Sequence, residues 1–104
     1  MSFKVLFMAH SADANWRDHQ SFIDTGRLKL WSVIVQDQAQ ALDAAKQMDA
    51  QNGLDSILLC PGFNHDDVAE LFHAFGGKVG VSVARGDGPS NQIAAQARQR
   101  AYSD

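Results

Sequence analysis

The apolar residues of this chain fall into four short runs, and the stretches between them carry helical spacing. Phe3 to Ala9 is apolar apart from Lys4, with Val5, Leu6, Phe7 and Met8 unbroken. A run apolar on both sides suits a strand in the middle of a parallel sheet. From about Ala14 to Asp24 the spacing predicts a helix. Trp16, His19 and Ile23 fall on one face with Phe22 beside them, Asp13 is placed to cap it, and Thr25-Gly26 ends it. Leu28 to Val35 alternates as a second strand, and its more polar first half suits a sheet edge. Asp37 then caps a helix, with Gln40 three residues on. Ala41, Leu42, Ala45 and Met48 form its buried face, and Asn52-Gly53 closes it.

The third strand, Ser56 to Cys60, is stopped by Pro61-Gly62. Asn64 opens the next helix with Asp67 in box position, and Val68, Leu71, Phe72 and Phe75 give it a stripe. Gly76-Gly77 ends it. Lys78 to Ala84 is the fourth strand, with Val79, Val81 and Val83 on one side. Arg85, Gly86, Asp87, Gly88 and Pro89 make a turn. Ser90 or Asn91 caps a last helix that runs to about Ala101, and its inward stripe is thin: Ile93, Ala94, Ala97 and Ala101. Tyr102 to Asp104 is expected to fray.

Strands and helices therefore alternate, with no repeat and no linker, so residues 1–104 read as one α/β domain. Right-handed crossovers give a small doubly wound, three-layer sandwich, flavodoxin-like, with helices on both faces. The sheet is mostly parallel and four-stranded, in the order 2-1-3-4, which puts the two most apolar runs inside.

Charge and cysteine content narrow the partners. Nine basic and twelve acidic residues leave a net charge of -3, which attracts neither nucleic acid nor an anionic membrane. The one cysteine permits no intrachain disulfide, and a reducing cytoplasm is the default. No apolar run nears the roughly 18 residues of a membrane span, and the N-terminus lacks the long apolar region of a secretory signal. The small chain and the thin last helix favour a homodimer or a larger homo-oligomer. Core burial accounts for the large aromatics Trp16, Phe22 and Trp31, and near a sheet edge they also offer a surface for self-association.

In open parallel sheets, ligands sit at the carboxyl ends of the strands, where strand order reverses. That places three turns around one crevice: His10 to Asn15, Cys60 to His65 and Arg85 to Asn91. The candidate ligand-binding residues are His10, Cys60, Asn64, His65, Arg85 and Asp87, with Asp13 and Asn91 in the same turns. A small polar or anionic ligand fits them, with Arg85 as the anion anchor. Each has a plainer reading. Cys60 ends a buried strand and can be a small core hydrophobe. Arg85 can pair locally with Asp87. His19 and His73 read as structural or solvated.

A nucleophilic Cys60 would need a base, such as His10 or His65, and a local positive field, which Asp66 and Asp67 oppose. His10, Cys60 and His65 are zinc-ligand types, but without a ligand motif they support no metal assignment. Neither the dinucleotide nor the P-loop glycine pattern is present, so no nucleotide cofactor is expected. The HSADAN turn lacks the glycines of an FMN loop, and Cys60 stands where a phosphoacceptor domain has aspartate. Three functions stay open: ligand binding, a small enzyme using Cys60 or His10 with Arg85, and a structural or protein-interaction module.

The stretch LDSILLCPGFNHDDVAELFHAFGGKVGVSVARGD carries a resemblance. Its C-x-G-F loop, helix, G-G-K-V strand and arginine-containing turn, Cys60 to Arg85, resemble a family of small bacterial α/β proteins of about this length, a domain of unknown function. The resemblance implies a compact α/β fold. It implies no activity and no catalytic residues.

Overall fold

In a computed structural model, which describes residues 1–103, the chain forms β1 (Phe3–His10), β2 (Gln20–Asp24), β3 (Leu28–Val35), α1 (Gln38–Asn52), β4 (Ser56–Leu59), α2 (His65–Ala74), β5 (Gly80–Val83) and α3 (Gly88–Ala101). The sheet order is β2-β3-β1-β4-β5. The four predicted strands are β3, β1, β4 and β5, all parallel and in the predicted relative order. The arrangement is broadly flavodoxin-like, but the sheet is mixed and five-stranded.

The extra strand replaces the predicted first helix. Residues 14–19 form a short turn, in which Asn15, not Asp13, takes the cap: its side chain accepts from Arg17 N at 3.1 Å and its carbonyl from His19 N at 2.9 Å. β2 then runs antiparallel to β3. Its hairpin turn is closed by Thr25 N to Leu28 O at 2.9 Å and by Gly26 N to the Asp24 carboxylate at 2.8 Å. Gly26 has φ +96°, a conformation that suits glycine. Phe22 stacks on Trp31 across the pair, centroids 4.9 Å apart. Cross-strand aromatic pairing is available only to a strand, and here it outweighs the helical spacing. β3 is therefore not an edge, and Trp31 is buried.

A second correction concerns the layers. α1 packs on β1 and β3, α2 packs on β5, and the two helices meet. Both crossovers step the same way across the sheet, so right-handedness puts both helices on one face. That face holds the core, where Leu6, Met8, Val33, Val35, Ile57, Leu59, Phe63 and Leu71 are fully buried. Ala41, Ala44, Ala45 and Met48 line the buried side of α1, with Leu42 at its margin. Their small side chains let α1 lie close to the sheet. On α2, Leu71 is buried, whereas Phe72 is 42% exposed. Among the described residues, the opposite face of the sheet carries no helix, because the predicted first helix is absent and α3 packs against no other helix or strand. The described chain extends over 42 × 26 × 26 Å.

The caps are local and specific. The Asp37 carboxylate accepts from Gln40 N at 2.9 Å, while the Gln40 side chain reaches back to Gln36 N instead of closing a box on Asp37. Asn64 and Asp67 form a complete capping box. α3 starts earlier than predicted, with Asp87 in the cap position and Pro89 in the first turn. Asn91 lies inside the helix and donates to Arg85 O at 3.0 Å. Tyr102 does not fray: its N–H donates to Arg98 O at 3.0 Å, and its hydroxyl meets the Ser11 hydroxyl at 2.8 Å. Asp104, the last of the residues predicted to fray, lies outside the described residues.

The two-layer core makes a contrast measurable by urea unfolding. Leu6→Ala removes a fully buried side chain from the central strand and should cost about 3 kcal/mol. Phe72→Ala, on the exposed side of α2, should cost under about 1 kcal/mol. Equal losses would mean that the core does not lie between the sheet and α1.

Candidate functional site

β1 and β4 lie side by side, so their carboxyl ends bring His10 and Cys60 together. Cys60 N donates to Met8 O at 3.0 Å and extends the pairing by one residue beyond β4. The chain then turns at Pro61-Gly62, and Phe63 N returns to Cys60 O at 3.3 Å. Phe63 enters the core and is fully buried. The His10 ring stacks on it, centroids 3.9 Å apart and planes inclined by 21°.

Gly62 is what permits this closeness. A Cβ there would stand 3.1 Å from His10 Nδ1 and 3.5 Å from the Cys60 sulfur. The backbone of the loop therefore lies directly against the imidazole and the thiol. Arg85 braces the loop from the next strand end, with Nη1 donating to Phe63 O at 3.3 Å. Arg85, the expected anion anchor, does not line the cavity beside this loop, and its alternative pairing with Asp87 does not form among the described residues.

A shallow cavity of about 310 Å³ opens beside the loop, lined by Ala9, His10, Cys60, Pro61, Gly62 and Arg98. That volume is at the lower end of small-molecule sites, which start at about 300 Å³. Its cation is Arg98 of α3, a residue the sequence did not single out. The signal was tertiary: α3 reaches back across the strand ends, where Tyr102 meets Ser11. Among the described residues, no acidic side chain lines this cavity.

The other predicted residues sit elsewhere. The Asn64 side chain accepts from Asp67 N at 2.8 Å, and Asn64 N donates to the Asp67 carboxylate at 3.0 Å, so both groups serve the α2 cap. His65 is exposed at the start of α2, and Asp87 is exposed at the start of α3 with no side-chain cap bond. Among the described residues, no three His, Cys, Asp or Glu side chains gather to hold a metal, and no hydrogen bond joins the Cys60 thiol to a histidine. The half-buried thiol packs against the core on one side and lines the cavity on the other.

A polar relay borders the site. The Ser11 hydroxyl donates to the Asp13 carboxylate. A serine has a single O–H, so the Tyr102 hydroxyl is the donor in its contact with Ser11. The Ser11 hydrogen bond, with the Asp13 backbone N–H, holds the Asp13 carboxyl below the usual carboxylate range, and His19 acts in the same direction.

A family model matches residues 3–99, nearly the whole chain, and its description is a family of unknown function (DUF6506). No curated protein and no solved structure matches the chain. Among the described residues, no helix is long and apolar enough to cross a membrane.

The relay gives a pH prediction. With its folded pKa depressed, Asp13 contributes stability above its unfolded pKa, and this is lost as pH falls through the folded value. Ser11→Ala should move the Asp13 carboxyl back up toward the ordinary range in an NMR titration. Titration at the same pH in both proteins would remove Ser11 as the cause.

Proposed function

As the chain belongs to this family, whose description assigns no function, we propose a role from its own residues: it binds a small anionic molecule at the carboxyl ends of β1 and β4. The observation that carries this reading is the convergence of His10, Cys60 and Arg98 on one cavity, with no acidic side chain among the described residues that line it. A guanidinium at the mouth of a cleft recognises a carboxylate or a phosphate oxygen by charge-assisted hydrogen bonds. Without a Cβ, Gly62 lets the loop lie against His10 and Cys60 and holds both at the cavity. The imidazole, stacked on Phe63, has its orientation fixed and can offer a ring nitrogen to a polar group. Arg85 acts as the brace that keeps the loop in this shape. At about 310 Å³ the cavity suits a small molecule bearing one anionic group.

Cys60 supplies the test, because it is the one cysteine and it borders the cavity. A maleimide should label it in the folded protein, and inorganic phosphate or small carboxylates should slow the labelling. Losing a charge-assisted contact costs about 1.5–3 kcal/mol, so Arg98→Ala should fold and lose roughly tenfold to a hundredfold in protection. Labelling only after unfolding, or unchanged protection in Arg98→Ala, would overturn the proposal.

A further inference from the structure

The face of the sheet that α1 and α2 leave open is apolar. By the strand register, Ile23, Leu30 and Val5 stand in one row across β2, β3 and β1, and Phe7 and Leu58 stand side by side in the next. Ile23 is 57% exposed, Phe3 53% and Leu58 38%. The polar positions on this face are serines, and no charged residue falls on it. The same chain carries a second unpartnered element. α3 has no buried residue, and Ile93 on its thin apolar stripe is 70% exposed. Ala9 belongs to the open face and lines the same cavity as Arg98, so the Arg98 end of α3 reaches the open side of the sheet.

We infer that a second copy of this chain seats on the open sheet face, forming a twofold dimer in which each α3 lies against the partner. Three considerations select a second copy. The first is area. Five strands about 4.8 Å apart and roughly 20 Å long present about 500 Å² of flat surface. A fourteen-residue helix about 21 Å long and 10 Å wide adds about 200 Å². Corrugation raises both, to the scale of the roughly 800 Å² per partner that a stable interface buries. The second is charge. The chain is at -3, yet the strands present no charged side chain on this face, so the two sheet faces meet without opposed like charges; the charges near it are the last-turn arginines of α3, Arg98 and Arg100. The third is symmetry. An isologous contact presents the same patch twice, so one twofold operation covers both open sheet faces and offers both helices a neighbour. The partner also roofs the cavity at the rim of the face, which sets the solvent access of Cys60.

Sedimentation of the full chain at micromolar concentration should give twice the 11.3 kDa monomer mass. Leu58→Asp places a charge in the middle of the face, at a position already part-exposed in the monomer. It should keep its circular dichroism spectrum and weaken dimerisation at least a hundredfold. Ile23→Lys, at the outer strand, serves the same purpose if Leu58→Asp does not fold. Phe72→Ser, on α2, should stay dimeric. Cys60 in the monomeric variant should react faster with a maleimide than in the dimer. A wild-type monomer throughout that range, or a Leu58→Asp protein that remains dimeric, would overturn the inference. A wild-type monomer that binds uncharged phosphatidylcholine vesicles would overturn it too and assign the face to lipid. Mass is the readout here and protection by phosphate the readout of the anion site, so the two proposals fail separately: a Cys60 closed in the dimer but open in the Leu58→Asp monomer is tested for protection in that monomer.

Discussion

Everything in this fold depends on satisfying the backbone of β1. It lies in the middle of the sheet, and its N–H and C=O groups need partners on both sides. Both neighbours, β3 and β4, are parallel to it. Parallel neighbours cannot be joined by a tight turn. The chain solves the problem twice, in different ways. From β3 to β4 it crosses over β1 with α1 and buries that face. From β1 to β3 it stays at the sheet margin, turns at residues 14–19 and descends as β2 before the hairpin into β3. The second route covers no face. The same requirement thus produces both the core and the open surface.

The four parallel strands were legible because each is a short unbroken apolar run with a turn signal after it. Their order followed because the two most apolar runs belong inside. The fifth strand was not legible. Residues 14–24 carry helical spacing in Trp16, His19 and Ile23, and the spacing is genuine at Trp16, which is buried and donates to Asp43 of α1 at 3.2 Å. Phe22 and Ile23, however, lie on opposite faces of an edge strand, each about half exposed. No periodicity separates such a strand from the end of an amphipathic helix. The deciding contact, Phe22 on Trp31, spans nine residues and exists only after the hairpin closes. The open face followed from the same miss, since the lost helix was the one meant to cover it.

At the carboxyl ends, strand pairing alone joined His10 to Cys60, which is why topology could anticipate it. The C-P-G-F loop has a physical reading: a strand end, a break, a residue without a Cβ against two functional groups, and an aromatic anchor in the core. Arg98 escaped notice because its position depends on how a weakly packed helix leaves β5, and helix direction leaves no mark in residue spacing. Asn64 shows the converse. A good cap residue at a promising strand end spends its polar groups on its own helix.

The central position of β1 also orders events in time. Its pairing with β4 joins residues 51 positions apart, as in the hydrogen bond from Lys4 N to the Asp55 carboxylate at 2.9 Å. The β2–β3 hairpin, by contrast, closes over a few residues around Gly26. Loop-closure entropy makes the local pair the cheaper one to form, and long-range parallel pairing is slow. On the ribosome β1 emerges before both of its neighbours: it waits, apolar and unpaired on one side, until β4 has been synthesised. The interval is the length of one hairpin and one helix, and during it the nascent chain exposes the strand that will become its centre.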